Sequence, residues 1–82
     1  MKYMAIWNMP GCLPDSDPEV FDEYEDAKAY ACTLAQEYVD SLDLTDEQYE
    51  IESTYIALAQ EYKHPFHLYI KHYVYSVEEV EE

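Results

Sequence analysis

His64, His67, Cys12 and Cys32 are the residues with the most distinctive potential chemistry. His64 and His67 bracket Pro65-Phe66, which raises the question of zinc. Zinc sites need four ligands at characteristic spacings, built from paired Cys-x2-Cys or His-x3-His units. The two cysteines are 20 positions apart and neither has a close partner. The histidines therefore read as partly exposed groups at a helix–strand junction, Cys32 as a helix core position and Cys12 as a loop residue. Asp15, Asp17 and Glu19 alternate as calcium ligands can. An EF-hand loop needs a glycine at its centre and a glutamate at its twelfth position; here that glycine is missing and Pro18 interrupts. Weak cation binding by so acidic a surface is the expectation, without a defined metal site.

Catalysis finds no better anchor. Any two of 19 acidic residues could be paired as acid and base, yet nothing singles out a pair or implies a cleft. The single glycine, Gly11, excludes a glycine-rich phosphate cradle. Cys12 lacks a motif marking a nucleophile. The chain is read as non-enzymatic, with no catalytic residue and no cofactor.

Charge is more informative. The 82 residues carry 19 acids against four lysines and no arginine, a formal net charge of −15. A protein that grips nucleic acid by its phosphates needs a basic stripe, and none can be built. Bidentate arginine recognition of phosphate or carboxylate is impossible, and binding to an anionic membrane surface is disfavoured. The acidity is segregated. Residues 15–52 hold fourteen acids and Lys28, net −13, and residues 78–82 add four glutamates. The flanking stretches 1–14 and 53–77 each carry a net +1.

High net charge favours disorder, but 49% of the residues are hydrophobic, ten tyrosines included. That suffices for one small domain over residues 1–82. A chain of this size buries only roughly 60–65% of its unfolded surface, and self-repulsion narrows the margin further, so the domain should be more stable in salt. Two cysteines make no disulfide framework. Neither a signal peptide nor a membrane span is expected. A reduced cytoplasm, that of a host cell if the protein is phage-encoded, is the default location.

Residues 2–9 alternate with apolar groups on both faces, the pattern of an internal strand. Pro10-Gly11 ends it, and Pro14 and Pro18 keep the next stretch extended or turned. Val20-Phe21 suits a very short edge strand. Asp22 has the form of a helix N-cap with Glu25 as its capping-box partner. Tyr24, Ala27, Ala31, Leu34, Tyr38 and Leu42, widened by Ala35 and Val39, predict an amphipathic helix over about 23–42. Thr45 to Gln48 is a second capping box, with Leu44 and Tyr49 placed as a hydrophobic staple. Ile51, Tyr55, Leu58, Ala59 and Tyr62 then predict a helix over about 46–62. Residues 66–77 read as one strand with a bulge or bend near Lys71-His72. Glu78, Glu79, Glu81 and Glu82 form a mobile acidic tail, residues 78–82. The result is an α+β fold, β-α-α-β in two layers. Its small sheet has two or three antiparallel strands, and both helices pack on one face.

Two surfaces follow. Helical carboxylates recur about 5–6 Å apart at three- and four-residue spacings, so rows of them can occupy a groove built for nucleic acid. The rows are Asp22, Glu23, Glu25 and Asp26, then Glu37, Asp40 and Asp43, then Asp46, Glu47, Glu50 and Glu52. The last two rows could meet at the 40–47 connection. In the first row, acids at a helix N-terminus gain about 0.3–1 kcal/mol each from the helix dipole, so part of the cluster has a structural explanation. The second surface is aromatic. On a single strand, Tyr69, Tyr73 and Tyr75 share one face with His67 and Lys71, an exposed platform if the helices cover the opposite face.

Trp7-Asn8-Met9-Pro10-Gly11-Cys12-Leu13-Pro14-Asp15-Ser16-Asp17-Pro18 resembles the opening of small acidic uncharacterised phage and mobile-element proteins. Phe21-Asp22-Glu23-Tyr24-Glu25-Asp26-Ala27 continues the likeness, and Tyr73-Val74-Tyr75-Ser76-Val77-Glu78-Glu79 resembles their ending. About half the chain is covered, and no functional residues come with the resemblance. By size and acidity the chain is also similar to anti-CRISPR and anti-restriction proteins that act as DNA mimics. The resemblance implies an inhibitor that binds a basic nucleic-acid-binding protein or complex of the host, without touching nucleic acid or membrane itself. The alternative is an interaction adaptor that docks or homodimerises through the tyrosine-rich C-terminal strand.

Overall fold

The computed structural model describes residues 2–8, 19–63 and 65–80. The fold is α+β, with two helices and a four-stranded antiparallel sheet. The elements run β1 (Lys2–Asn8), β2 (Glu19–Phe21), α1 (Tyr24–Ser41), α2 (Asp46–Ala59), β3 (Phe66–Ile70) and β4 (Tyr73–Val80). The strand order is β2-β1-β4-β3. β1 is internal, as its two apolar faces predict, and β2 is the short edge strand. The expected turn at Pro10-Gly11 and the residues Cys12, Asp15, Asp17, His64, Glu81 and Glu82 lie outside the described residues.

The predicted strand over 66–77 is instead a hairpin. Ile70 pairs with Tyr73, which leaves Lys71 and His72 as a two-residue turn. Lys71 sits at φ 54°, a value that β-hairpin turns demand and that glycine or asparagine normally supplies. The turn changes which tyrosines face outward. Phe66 pairs with Val77, Leu68 with Tyr75 and Ile70 with Tyr73, and cross-strand partners share a face. Tyr73 and Tyr75 therefore lie on the core side with Phe66, Leu68 and Ile70. Tyr75 is 2% exposed and Tyr69, on the opposite face, is 69% exposed. The three-tyrosine platform is not formed. Glu78 and Glu79 belong to β4, opposite Met4 and Tyr3, rather than to a tail.

α1 covers the core face of the sheet. It buries Ala27, Ala31 and Ala35 at four-residue spacing, together with Lys28, Cys32 and Val39. Tyr24, Leu34 and Tyr38 are half-buried at the margins. The N-cap is Glu23, with no side-chain cap bond. Asp22 does not cap; its carboxylate pairs with Lys2 Nζ at 3.3 Å. α2 packs beside α1 and reaches the sheet only at β3. Its start follows the predicted capping signal, with Thr45 Oγ1 accepting from the Gln48 amide at 3.2 Å. Its end tightens through i to i+3 bonds, Glu61 N to Leu58 O and Tyr62 N to Ala59 O.

Few large side chains are fully buried: Phe66, Ile70, Val39 and Val77 lead them, at roughly 1.5–3 kcal/mol each. Aromatic pairs at the rim supplement this core. Tyr3 meets Tyr24 edge-on at 5.8 Å and Phe21 meets Tyr30 at 5.3 Å, geometries that add about 0.5–1.5 kcal/mol beyond area burial.

Lys71→Gly should raise stability by about 0.5–1 kcal/mol, because glycine adopts positive φ without a Cβ clash and the gain exceeds its extra chain entropy. Thermal unfolding checks this. The expected midpoint rises by several degrees; an unchanged or lower midpoint contradicts the turn assignment.

Candidate functional site

The acidic residues divide between the two ends of the helical layer. At one end, Asp22, Glu23, Glu25 and Asp26 surround the start of α1, all exposed. Glu25 and Asp26 lie in the first turn, where the dipole favours them. Lysines partly neutralise this end. Besides the Lys2–Asp22 pair, Lys28 Nζ meets Glu25 Oε2 at 2.9 Å. Lys28 is buried, donates to the Tyr62 carbonyl at 3.2 Å and lies 5.3 Å from the centre of the Tyr24 ring. The Tyr24 hydroxyl also donates to that carbonyl, at 3.0 Å. The end of α2 is thus pinned to the start of α1.

The other end is held differently. The Tyr49 hydroxyl donates to Asp40 Oδ1 at 2.6 Å. Gln36 Nε2 donates to the same oxygen at 3.0 Å, and lies 3.3 Å from the Tyr49 hydroxyl and 3.4 Å from Ser53 Oγ. Bonds from Tyr49 and Gln36 hold the Asp40 carboxyl below the ordinary aspartate range. The same bond to Asp40 raises the Tyr49 phenol above its ordinary value. Charge is least balanced here. Residues 29–62 carry eight carboxylates and no lysine. Asp46 and Glu47 open α2, where the dipole favours them, whereas Asp40 stands in the last turn of α1 and Glu37 just before it. A negative charge in the last turn opposes the dipole by about 0.3–1 kcal/mol, and Glu37 gains nothing from it, so helix stability explains neither.

Of the predicted rows, the structure brings Asp40 against α2 beside Tyr49, while Asp43 and Asp46 flank the connection. Glu37, one turn before Asp40, lines a groove with Trp7, Leu34, Tyr38, Tyr73 and Tyr75. The first row sits at the far end of α1, about 27 Å away along an 18-residue helix at ~1.5 Å per residue.

A second surface was not foreseen from the sequence. Ile51, Tyr55 and Leu58 belong to the apolar spacing that predicts α2, yet they are 48%, 53% and 57% exposed. The inward residues of α2 are Ile56 and Ala59. The outward three, spaced four and three apart, form one stripe, and they line a groove with Glu47, Glu50 and Thr54. An apolar seam bordered by carboxylates is therefore displayed on α2. Among the described residues, no three of His, Cys, Asp and Glu converge so as to hold a metal ion, and no helix is long and apolar enough to cross a membrane. Cys32 is buried, and burial pushes its thiol up, which leaves it little nucleophilic character.

Asp40's lowered pKa means its contact stabilises the fold above the ordinary aspartate range and is lost as pH falls through Asp40's own lower value. Tyr49→Phe removes the shorter bond. Carboxyl NMR titration should then show the Asp40 midpoint moving up toward the ordinary value; an unmoved midpoint would show that Tyr49 does not hold this carboxylate.

Comparison with protein-family models, with curated proteins and with solved structures finds no match to this chain.

Proposed function

We propose that this chain is a non-enzymatic binding protein that blocks the basic nucleic-acid site of a partner protein. The observation that carries this reading is the outer face of α2. There Ile51, Tyr55 and Leu58 stand exposed in a groove that Glu47 and Glu50 also line, within a 34-residue stretch of sequence that holds no cation. An apolar centre with a charged rim is the anatomy of a protein interface. The rim's sign selects a basic partner and speeds encounter at low salt.

The two acidic ends add reach. They stand about 27 Å apart along α1, against ~34 Å for one turn of duplex. A surface of that length can span much of a groove that accepts one turn of nucleic acid. Asp40, held by Tyr49 and Gln36, needs little reordering on binding, which favours affinity. With the resemblance to phage proteins, this reading places the chain among stoichiometric inhibitors of host defence proteins, of the anti-CRISPR or anti-restriction kind. The adaptor alternative is weakened because Tyr73 and Tyr75 face the core. Pairing two copies through α2 would also set like charge against like charge.

The test is inhibition of a panel of nucleic-acid-dependent defence complexes by the protein and by lysine reversals at Asp22, Glu25, Asp40 and Glu47. Each reversal should weaken inhibition about threefold or more at low salt, with a shallower salt dependence. Inhibition that survives several reversals unchanged would sink the mimicry.

A further inference from the structure

The groove where β1, β4 and the end of α1 meet has a composition that the blocking role does not use. It measures about 310 Å³ and is lined by Trp7, Leu34, Glu37, Tyr38, Tyr73 and Tyr75. Of the six described residues that line it, four are aromatic, and they pack on one another. Trp7 and Tyr73 have ring centres 5.6 Å apart, Tyr38 meets Tyr73 edge-on at 4.8 Å, and Tyr73 and Tyr75 are 6.4 Å apart. Trp7, Tyr38 and Tyr73 are half-buried, and Glu37 is exposed. None of the four lysines lines the groove.

We infer that this groove binds a weakly hydrated organic cation, an arginine guanidinium or a methylated ammonium, through the Trp7, Tyr38 and Tyr73 rings with Glu37 as counter-charge. Aromatic rings attract such cations electrostatically, tryptophan most strongly, and clustered rings are the usual receptor for quaternary ammonium groups. The volume is at the lower end for ligand pockets, which fits one side-chain head rather than a larger ligand. The molecule already makes the same kind of contact once, with Lys28 over the Tyr24 ring. The inference does not rest on the blocking role, since Trp7, Tyr73 and Tyr75 belong to the sheet and not to α2.

Trp7 is the single tryptophan, so its fluorescence reports on this groove. The experiment titrates the protein with tetramethylammonium and with methylguanidinium at constant ionic strength. The control is 3,3-dimethylbutanol, which carries the same bulky alkyl head without charge. At least one cation should change Trp7 emission saturably, with a Kd of roughly 1–10 mM for so small a ligand. The neutral analogue should bind about fivefold or more weakly. The tighter cation names the source, arginine for methylguanidinium and methylated lysine for tetramethylammonium. Glu37→Gln, at an exposed position, should weaken binding about two- to threefold. Tyr73→Leu should abolish it, and if that variant is misfolded by circular dichroism, Glu37→Gln and the neutral analogue still decide. The inference is overturned if neither cation gives a saturable change below about 50 mM, if the neutral analogue binds as well, or if Glu37→Gln leaves affinity unchanged.

Discussion

Two pins hold α2 against α1 while the carboxylates of both helices repel one another. At one end, the Tyr62 carbonyl accepts from Tyr24 and from the buried Lys28; at the other, Asp40 accepts from Tyr49, and Gln36 reaches Tyr49 and Ser53. Between the pins α2 contributes only Ile56 and Ala59 to the core. So slender an apolar contact would stabilise a helix pair weakly on its own, at roughly 25 cal/mol per Å² buried. Directional bonds at the ends therefore do much of the positioning. Because they fix the rotation of α2, they also determine that Ile51, Tyr55 and Leu58 point outward.

The same geometry sorts the acidic residues into those that a helix dipole favours and those that it does not. Glu25, Asp26, Asp46 and Glu47 sit in first turns, where negative charge is favourable. Lys2 and Lys28 offset part of the charge at the start of α1. Glu37 and Asp40 gain nothing from helix stability. Asp40 is held by two donors, and Glu37 opens onto an aromatic groove. Asp40 thus owes its place to the contact between the helices rather than to the dipole.

Local signals in the sequence were legible and long-range ones were not. Alternation identified β1, three- and four-residue spacing identified α1, and Thr45 identified the start of α2. The hairpin was hidden because Lys71-His72 carries no glycine or asparagine, the residues that usually mark such a turn. Missing it had a large consequence. Carried through two turn residues, simple alternation puts Val74 on the core side, whereas cross-strand pairing puts Tyr73 and Tyr75 there. The orientation of α2 was hidden for another reason. Ile51, Tyr55 and Leu58 form one helical stripe and Ile56 and Ala59 another, so periodicity supports either face. The bonds that join the two helices, Tyr49 to Asp40 and Lys28 to the Tyr62 carbonyl, select between them, and residue spacing does not reveal either. Trp7 and Tyr38 gave no sign of sharing a groove, because strand pairing and helix packing bring them together.

The central claim is that a basic partner is engaged through the outer face of α2 and the adjoining end of α1. Amide chemical-shift mapping tests it most directly, with basic nucleic-acid-binding domains added one at a time. The account predicts the largest changes at Asp40 and across Glu47–Leu58, with Met4, Ile6 and Val74 on the outer sheet face little affected. Changes concentrated on that sheet face, with α2 silent, would contradict it.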